Sequence, residues 1–377
     1  MLSLLGNHEQ SYQFFHLDWH KDHPYSSRLL CVRLRIIMHN DVSYLDDMPN
    51  DVCNGNTEAE SVNKVLNSSG PTYAEYLKLD RLLSCQELLS ETHGHDIVPD
   101  EHLFIVTHQV YELWFKQIVF DLDIVIRIFS GPVVNEAEQL KIVSLLDRIV
   151  KIMKLLVDQM LILETMPPLE FVEFRRYLSP ASGFQSFQFR LLENKLGLKQ
   201  ENRVPYNCSH YKDVFRCEQM KQELVDTETN NSLFGLLQKW LERTPGLESD
   251  GFNFWQKYEQ AVLRFLHDQK MQAAQMQPEE CRAAALVEVQ KVEASFNTIL
   301  NPEIHRSLVE KRDRRLSHKA LQGALMLSFY RDIPRFSQPY QILNLLMDID
   351  SLITKWRCEQ SLCRRYFRKS DQTYEKE

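Results

Sequence analysis

A histidine set among large apolar residues is the feature of this sequence with the clearest chemical potential. The stretch DEHLFIVTHQVYELWFKQ, residues 100–117, carries His108 four positions after Phe104, so both side chains point to one side of a helix. A histidine beside a phenylalanine on a half-buried helix can offer one N–H or one lone pair inside a dry cavity. The pattern predicts a site for an apolar ligand with a single polar atom. The alternative is a core histidine whose ring is satisfied by a backbone carbonyl.

An arginine pair next to a break in the chain is the second such feature. Arg175 and Arg176 follow Phe171 and Phe174 and precede the small-residue stretch SPASG, residues 179–183. A planar guanidinium there can grip a carboxylate through two N–H groups, and small residues let the backbone pass close to a flat ligand. The alternative is a surface arginine whose stem covers apolar neighbours.

Helices are the elements that would position these side chains. Asp100 can cap a helix that runs from Pro99 to Phe129, where Ser130-Gly131-Pro132 ends it. Apolar residues recur along this helix at close to helical period, which predicts one buried side. The residues of this predicted stripe are Leu103, Val106, Val110, Leu113, Trp114 and Phe120.

The rest of the chain also favours helices, and only 11 of 377 residues are glycine. We therefore predict an all-α fold, a large helical bundle domain with a smaller helical insert over the more polar residues 198–300. Within the bundle, proline is expected to open one helix at Ser179-Pro180. The predicted helices besides 99–129 cover residues 73–87, 136–166, 180–195, 317–330 and 339–356, with shorter ones near 232–243, 252–268 and 278–299.

Composition excludes several classes of protein. The formal net charge of −8 argues against a nucleic-acid-binding surface, and no apolar window is long enough to predict a membrane span. The first ten residues lack a secretory signal pattern, and the eight cysteines form no CxxC pair. Reduced thiols and a cytoplasmic location are therefore expected. The histidines at 16, 20 and 23 have helical spacing but no cysteine nearby, so we predict no metal site there.

Residues 1–70 differ from the rest and are predicted to be a divergent, disordered segment. Residues 41–70 are polar and acidic, which suits a solvated linker. The arginine-studded run RLLCVRLRIIM, residues 28–38, leaves a presequence or a partner-binding helix as an alternative.

Two further motifs, TYAEYL at 72–77 and RFSQPYQILNLLMDIDSLITKWR at 335–357, complete a set that closely resembles the tryptophan 2,3-dioxygenase family. The resemblance runs from about Thr72 to Arg357. It implies an all-α homotetramer with one haem b per subunit. It also implies a reaction in which both atoms of O₂ open the indole ring of L-tryptophan to give N-formyl-L-kynurenine, the first step of the kynurenine pathway.

The resemblance assigns roles to individual residues. His108, as the catalytic residue, would hydrogen-bond the indole N–H on the distal side of the haem, and Arg175 would hold the substrate carboxylate. Phe104 would pack on the indole and Phe171 would line the same pocket. The implied substrate contacts are Phe104, Ile105, Val106, Thr107, His108, Phe171, Arg175, Tyr73 and Tyr76.

Two of the implied contacts involve other components of the enzyme. Tyr73 and Tyr76 would reach into the site of a neighbouring subunit, so that tetramer formation is part of the catalytic design. Ser182 and Gly183 would lie against the haem.

The sequence departs from the family after Arg357, in a divergent tail over residues 358–377. The family's helix continues for about two turns and supplies the proximal histidine, but the matching position here is Arg365, and no histidine follows His318. A guanidinium stays protonated in proteins and cannot ligate iron, and Cys358 and Cys363 lie off the required position. The alternative prediction is therefore a truncated or mis-spliced, haem-deficient isoform that binds tryptophan or hetero-oligomerises with full-length chains.

Overall fold

The structure is a computed structural model that describes residues 70–92, 97–200, 203, 211–247 and 252–374, with side chains up to residue 360. The regular secondary structure of these ranges is helical and contains no β-strand, which confirms the all-α prediction. The predictions for residues 1–69, including the histidines at 16, 20 and 23, lie outside the described residues, as does the side chain of Cys363.

Short helices precede a series of long ones along the chain. By contacts, α1 and α2 belong to one compact unit and the helices from α3 onward to another. The helices are α1 Tyr73–Leu77, α2 Leu79–Leu82, α3 Leu89–Thr92, α4 Pro99–Phe129, α5 Glu136–Leu163, α6 Pro168–Arg175, a 3₁₀ turn Gly183–Gln185, α7 Phe187–Leu196, α8 Glu218–Thr229, α9 Leu233–Glu242, α10 Phe254–Ala274, α11 Glu279–Leu300, α12 Pro302–Glu310, α13 His318–Phe329 and α14 Pro334–Tyr374.

Helices α4, α5 and α14 build the core of the larger unit, with α5 packed against both of the others. Helix α7 packs on α4, α9 packs on α13, and α10 and α11 pack on each other within the predicted polar insert. No helix in the described ranges combines the length and the apolarity that crossing a bilayer requires. The fully buried side chains of the core include Phe115, Ile118, Leu122, Ile142, Leu146, Ile149, Met153, Leu156 and Phe174.

Helix α4 has the predicted bounds, but two details of the prediction are wrong. Val98, not Asp100, is the N-cap, because Pro99 takes the first helical position, where its missing N–H costs nothing. The predicted apolar stripe is not the buried side either: Leu113 is 50% and Phe120 63% exposed. The buried positions are Glu101, Thr107, Tyr111, Phe115, Ile118, Asp121, Leu122, Val125 and Phe129.

Polar residues are buried on α4 because each has a partner. The Glu101 carboxylate accepts from the backbone N–H groups of Leu89 and Ser90, at 2.8 and 3.0 Å, and from the Ser90 hydroxyl at 2.6 Å. Glu101 thereby caps α3 and fastens it to α4. Asp121 accepts from the Arg148 guanidinium of α5 at 3.1 Å.

Three predicted helix starts or spans are also wrong. The segment 73–87 is not one helix, because Lys78 adopts a left-handed conformation (φ 55°) between α1 and α2. Proline does not open a helix at Ser179-Pro180; α7 begins at Phe187, where the Ser186 hydroxyl accepts from the Phe189 N–H. Helix α14 starts at Pro334 and contains Pro339. Helices α3, α6, α8 and α12 were not predicted.

Glycine lets α13 approach the end of α9 closely. A Cβ built on Gly323 would collide with the Leu241 carbonyl oxygen and lie 2.9 Å from the Thr244 hydroxyl, whereas one on Gly235 would meet only the Ser232 hydroxyl, at 3.5 Å. We expect Gly323→Ala to lower the free energy of unfolding by roughly 1–3 kcal/mol through overpacking.

The matched control is Gly235→Ala on α9, which we expect to raise the free energy of unfolding by about 0.5–1 kcal/mol, since alanine loses less backbone entropy in a helix. Urea denaturation of both variants measures the two effects. Equal effects of the two substitutions would contradict the close packing of α13 on α9.

Candidate functional site

An aromatic cage forms where α6 packs against the first half of α4. The Phe104 ring lies 4.0 Å from the His108 ring, 5.8 Å from Phe171 and 5.5 Å from Phe174 between centroids. The two rings of α6 meet edge to face at 5.4 Å. The structure therefore brings together the predicted site residues Phe104, His108 and Phe171, and adds Phe174, to which the resemblance gave no role.

The protonation of His108 follows from its hydrogen bond. Its Nδ1 lies 2.8 Å from the Phe104 carbonyl oxygen. Because a carbonyl only accepts, Nδ1 must carry the hydrogen and donate it, which leaves a lone pair on Nε2 of the neutral ring. Burial lowers the pKa of His108, and the hydrogen bond to Phe104 opposes that shift only in part. Near neutral pH the ring is thus an acceptor inside an aromatic cage.

The sequence allowed two interpretations of His108, a ligand-binding histidine and a core histidine bonded to a backbone carbonyl. The structure supports part of each. The hydrogen bond from Nδ1 to a backbone carbonyl is what the core-histidine interpretation predicts. Among the described residues no group donates to Nε2, however, so that atom is available to a ligand.

Arg175 stands at the edge of the cage. It is the last residue of α6 and lies four positions after Phe171, so both share one face of the helix. Its Nη1 lies 3.5 Å from the Ala181 carbonyl oxygen, which is a weak contact. The guanidinium therefore reaches toward the loop that carries Ser182 and retains donors for a further acceptor.

The Ser182–Gly183 loop approaches helix α14. The Ser182 hydroxyl accepts from the Phe184 N–H at 3.4 Å, and its own N–H donates to the Gln185 side chain at 3.1 Å. A Cβ on Gly183 would lie 3.4 Å from Nε2 of Gln360 on α14. These two predicted cofactor contacts thus sit between the end of α6 and the helix that continues to position 365.

Sequence reasoning missed a second group of aromatic rings, made by Tyr111, Phe115, Phe189 and Trp356 and here called the second aromatic wall. Trp356 of α14 packs on Phe189 of α7 at 4.6 Å and meets Phe115 and Tyr111 of α4 edge to face at 5.4 and 6.1 Å. The Nε1 of Trp356 is buried without a hydrogen-bond partner. Tyr111 also faces the His108 ring, at 6.2 Å, so this wall adjoins the cage. The sequence feature that could have indicated this wall is that Tyr111 and Trp356 lie inside the motifs at 100–117 and 335–357.

The remaining predicted contacts divide by burial. Thr107 is buried, and its carbonyl accepts from Gln159 of α5 at 3.4 Å, while Ile105 and Val106 are half-buried. Tyr73 and Tyr76 are 75% and 74% exposed on α1, in the other compact unit. Within the described residues, no group of three or more His, Cys, Asp or Glu side chains could hold a metal ion.

Comparison with known proteins gives concordant results. A sequence model described as tryptophan 2,3-dioxygenase matches residues 57–366. The tryptophan 2,3-dioxygenase of Anopheles gambiae is 56% identical over 290 residues, which cover 77% of this chain and 74% of that protein. The tryptophan 2,3-dioxygenase of Aedes aegypti is 53% identical over 307 residues, covering 81% and 78%.

The burial of His108 predicts a pH-dependent stability. A histidine whose pKa is lower in the folded than in the unfolded state stabilises the fold above the unfolded-state value near 6.5, and this is lost as the pH falls through the folded pKa. We expect wild type to lose more free energy of unfolding than His108→Gln between about pH 7.5 and about pH 5.5. Urea denaturation at several pH values measures this.

The control is His102→Gln, which replaces an exposed histidine of the same helix. Burial also lowers the pKa of His305, but that residue is present in all three proteins and its contribution cancels. If His108→Gln kept the pH dependence of the wild type, the buried neutral state of His108 would be wrong.

Proposed function

We propose that this chain, which belongs to the tryptophan 2,3-dioxygenase family, catalyses that family's reaction, the opening of the indole ring of L-tryptophan by O₂ to give N-formyl-L-kynurenine. The observation that carries the proposal is the neutral His108 acceptor inside an aromatic cage with Arg175 at its edge. The product is the first intermediate of tryptophan catabolism.

The cage suits an indole ring. Phe104, Phe171 and Phe174 offer ring faces and edges to a flat apolar group. The lone pair on Nε2 of His108 accepts the indole N–H, the one polar atom of that ring. A neutral hydrogen bond of this kind contributes about 1 kcal/mol, so His108 chiefly fixes the orientation of the ring.

Arg175 suits the carboxylate of the amino acid. The guanidinium lies one helical turn beyond Phe171, and the loop at Ala181 holds it at the edge of the cage. A charge-assisted hydrogen bond contributes about 2–3 kcal/mol, more than the neutral bond of His108. Arg175 therefore sets the affinity for an amino acid, and His108 sets the position of its ring.

The family's cofactor, haem b, is a flat apolar ring with two carboxylates, and when bound it supplies the O₂ chemistry. The Nε1 of Trp356 is a buried donor without a partner, which a haem carboxylate would satisfy. Ser182 and the side-chain-free Gly183 would lie against the ring, on the loop that approaches Gln360.

The residues of this chain do not fit the haem iron, because the position expected to supply its ligand holds an arginine. Helix α14 continues through position 365, where the family's ligand is expected, and the residue there is arginine. A guanidinium has no lone pair to give to a metal. Ring binding and iron ligation are therefore separate properties of this chain.

A homotetramer in the cytoplasm is part of the same proposal. Tyr73 and Tyr76 stand exposed on α1, a position from which aromatic side chains can enter another subunit. The Thr72–Glu75 capping box fixes the helix that presents them, since each side chain accepts from the other residue's backbone N–H.

Removal of each polar contact tests the division of roles. We expect Arg175→Ala to lower kcat/KM for L-tryptophan by roughly 30-fold or more and His108→Ala by about fivefold, in line with the energies of the two bonds. Initial rates of N-formylkynurenine formation measure both, with each substitution made in haem-supplemented Arg365→His protein, which supplies a histidine at the position assigned to the iron ligand.

Arg176→Ala, which removes an exposed neighbour, is the matched control and should leave kcat/KM unchanged. Tryptamine lacks the carboxylate, so Arg175→Ala should make no difference to its binding. The reverse order of the two alanine variants would overturn the assignment of roles.

Arg365→His tests the position of the iron ligand and the overall function. We expect this variant to hold more haem than wild type, seen as a higher Soret absorbance per chain, and to form more N-formylkynurenine from L-tryptophan, O₂ and ascorbate. The control is Arg364→His, which places a histidine on a different face of the helix and should not raise haem content.

Failure of both the wild type and Arg365→His to form product after haem supplementation would contradict the dioxygenase proposal. Equal gains of haem in the two histidine variants would contradict the position assigned to the iron.

A further inference from the structure

A cavity of about 100 Å³ lies between α7, α9 and α14, apart from the aromatic cage. Phe104, His108 and Arg175 are not among the residues that line it. Its apolar lining comes from all three helices and includes Leu192, Leu196, Leu233, Leu237, Leu346 and Ile353.

Two ion pairs also border the cavity. Arg315 and Asp350 pair at 3.2 Å, and Arg357 pairs with Glu193. Asp350 and Arg357 are seven residues apart on α14, so roughly 10 Å separates the two pairs along the helix. Ile353, an aliphatic lining residue, lies between Asp350 and Arg357 in the sequence. The cavity therefore has an apolar middle and charged margins.

The pair at Glu193 is not balanced. The side chain of Glu193 is 3% exposed, and its carboxylate accepts from three guanidinium groups, those of Arg190, Arg203 and Arg357. Three guanidinium groups thus share this one buried carboxylate; the nearest further carboxylate among the described residues, that of Glu228, interacts with Arg203 but is itself paired with Lys212, so the cluster carries an excess of positive charge. Burial above all lowers the pKa of Arg190, the charges of Arg203 and Arg357 add to this, and Glu193 opposes it.

Excess positive charge beside an apolar cavity calls for an anion with an apolar body. Arg357 is the member of the cluster that lines the cavity, and its side chain is 37% exposed, so it retains donors that an incoming carboxylate can reach. Arg315 is neutralised by Asp350, which places the attraction for an anion at the Arg357 margin.

We propose that this cavity is a second ligand site, which binds a small monocarboxylate whose carboxylate pairs with Arg357 and whose branched aliphatic body lies among the leucines. The volume limits the body: an apolar cavity of about 150 Å³ holds a benzene ring, so about 100 Å³ holds roughly four to five carbons. Such a ligand touches α7, α9 and α14 at once and stabilises their packing by mass action.

Calorimetric titration of the full chain with 4-methylpentanoate tests the site. Saturable binding is expected, and Thr354→Trp should abolish it, because Thr354 is an exposed residue at the rim whose replacement fills the cavity without entering the core. Lys355→Trp, at the next and equally exposed position that does not line the cavity, should bind as wild type does. Thermal unfolding of both variants shows whether they fold.

One variant and one uncharged analogue test whether binding needs the ligand carboxylate and Arg357. Arg357→Gln and the uncharged analogue 4-methylpentan-1-ol should each weaken binding at least about tenfold, as expected for loss of a charge-assisted hydrogen bond. Arg175→Ala should leave it unchanged, which separates this cavity from the aromatic cage. Absence of saturable binding, undiminished binding to Thr354→Trp, equal binding of the alcohol, or loss of binding in Arg175→Ala would each overturn the proposal.

Discussion

One hydrogen bond within a single helical turn determines what the site can do. The Phe104 carbonyl fixes the proton of His108 on Nδ1, because a backbone carbonyl can only accept a hydrogen bond. The same turn stacks the Phe104 ring 4.0 Å from the imidazole, so the acceptor atom and the apolar surface beside it are positioned together. For a flat ring with one N–H, the acceptor and the apolar surface are thus preorganised with respect to each other.

The local unit would be of little use without tertiary packing. Phe171 and Phe174 close the cage only because α6 lies against α4, and the prolines at 167 and 168 start α6 as its N-cap and first residue after α5 has ended. Arg175 then projects from the last turn of α6, where the chain enters a loop of small residues. The Arg175 guanidinium and two rings of the cage therefore belong to one short segment whose position depends on aromatic contacts between two helices.

Sequence reasoning found the helices whose signals are local and failed where packing decides. The bounds of α4 were predictable because Pro99 and the Ser130-Gly131-Pro132 stop act through neighbouring residues. Its buried side was not, because a core helix touches several neighbours and buries polar groups that have partners: Glu101 and Asp121 are buried, whereas Phe120 is exposed. Periodicity alone cannot report that α3 and Arg148 satisfy those two carboxylates.

The candidate site shows the same division. Spacing singled out Phe104 and His108, and the nearby chain break singled out Arg175, but Trp356 packs on rings of α4 and α7 that are distant in sequence. Helix α14 joins these parts: successive residues on it contact the aromatic wall through Trp356 and the buried carboxylate of Glu193 through Arg357, and Gln360 meets the Gly183 loop. Any change in the position of α14 must therefore act on the ring wall, the charged cluster and the loop together, because all three are fastened to it within little more than one helical turn.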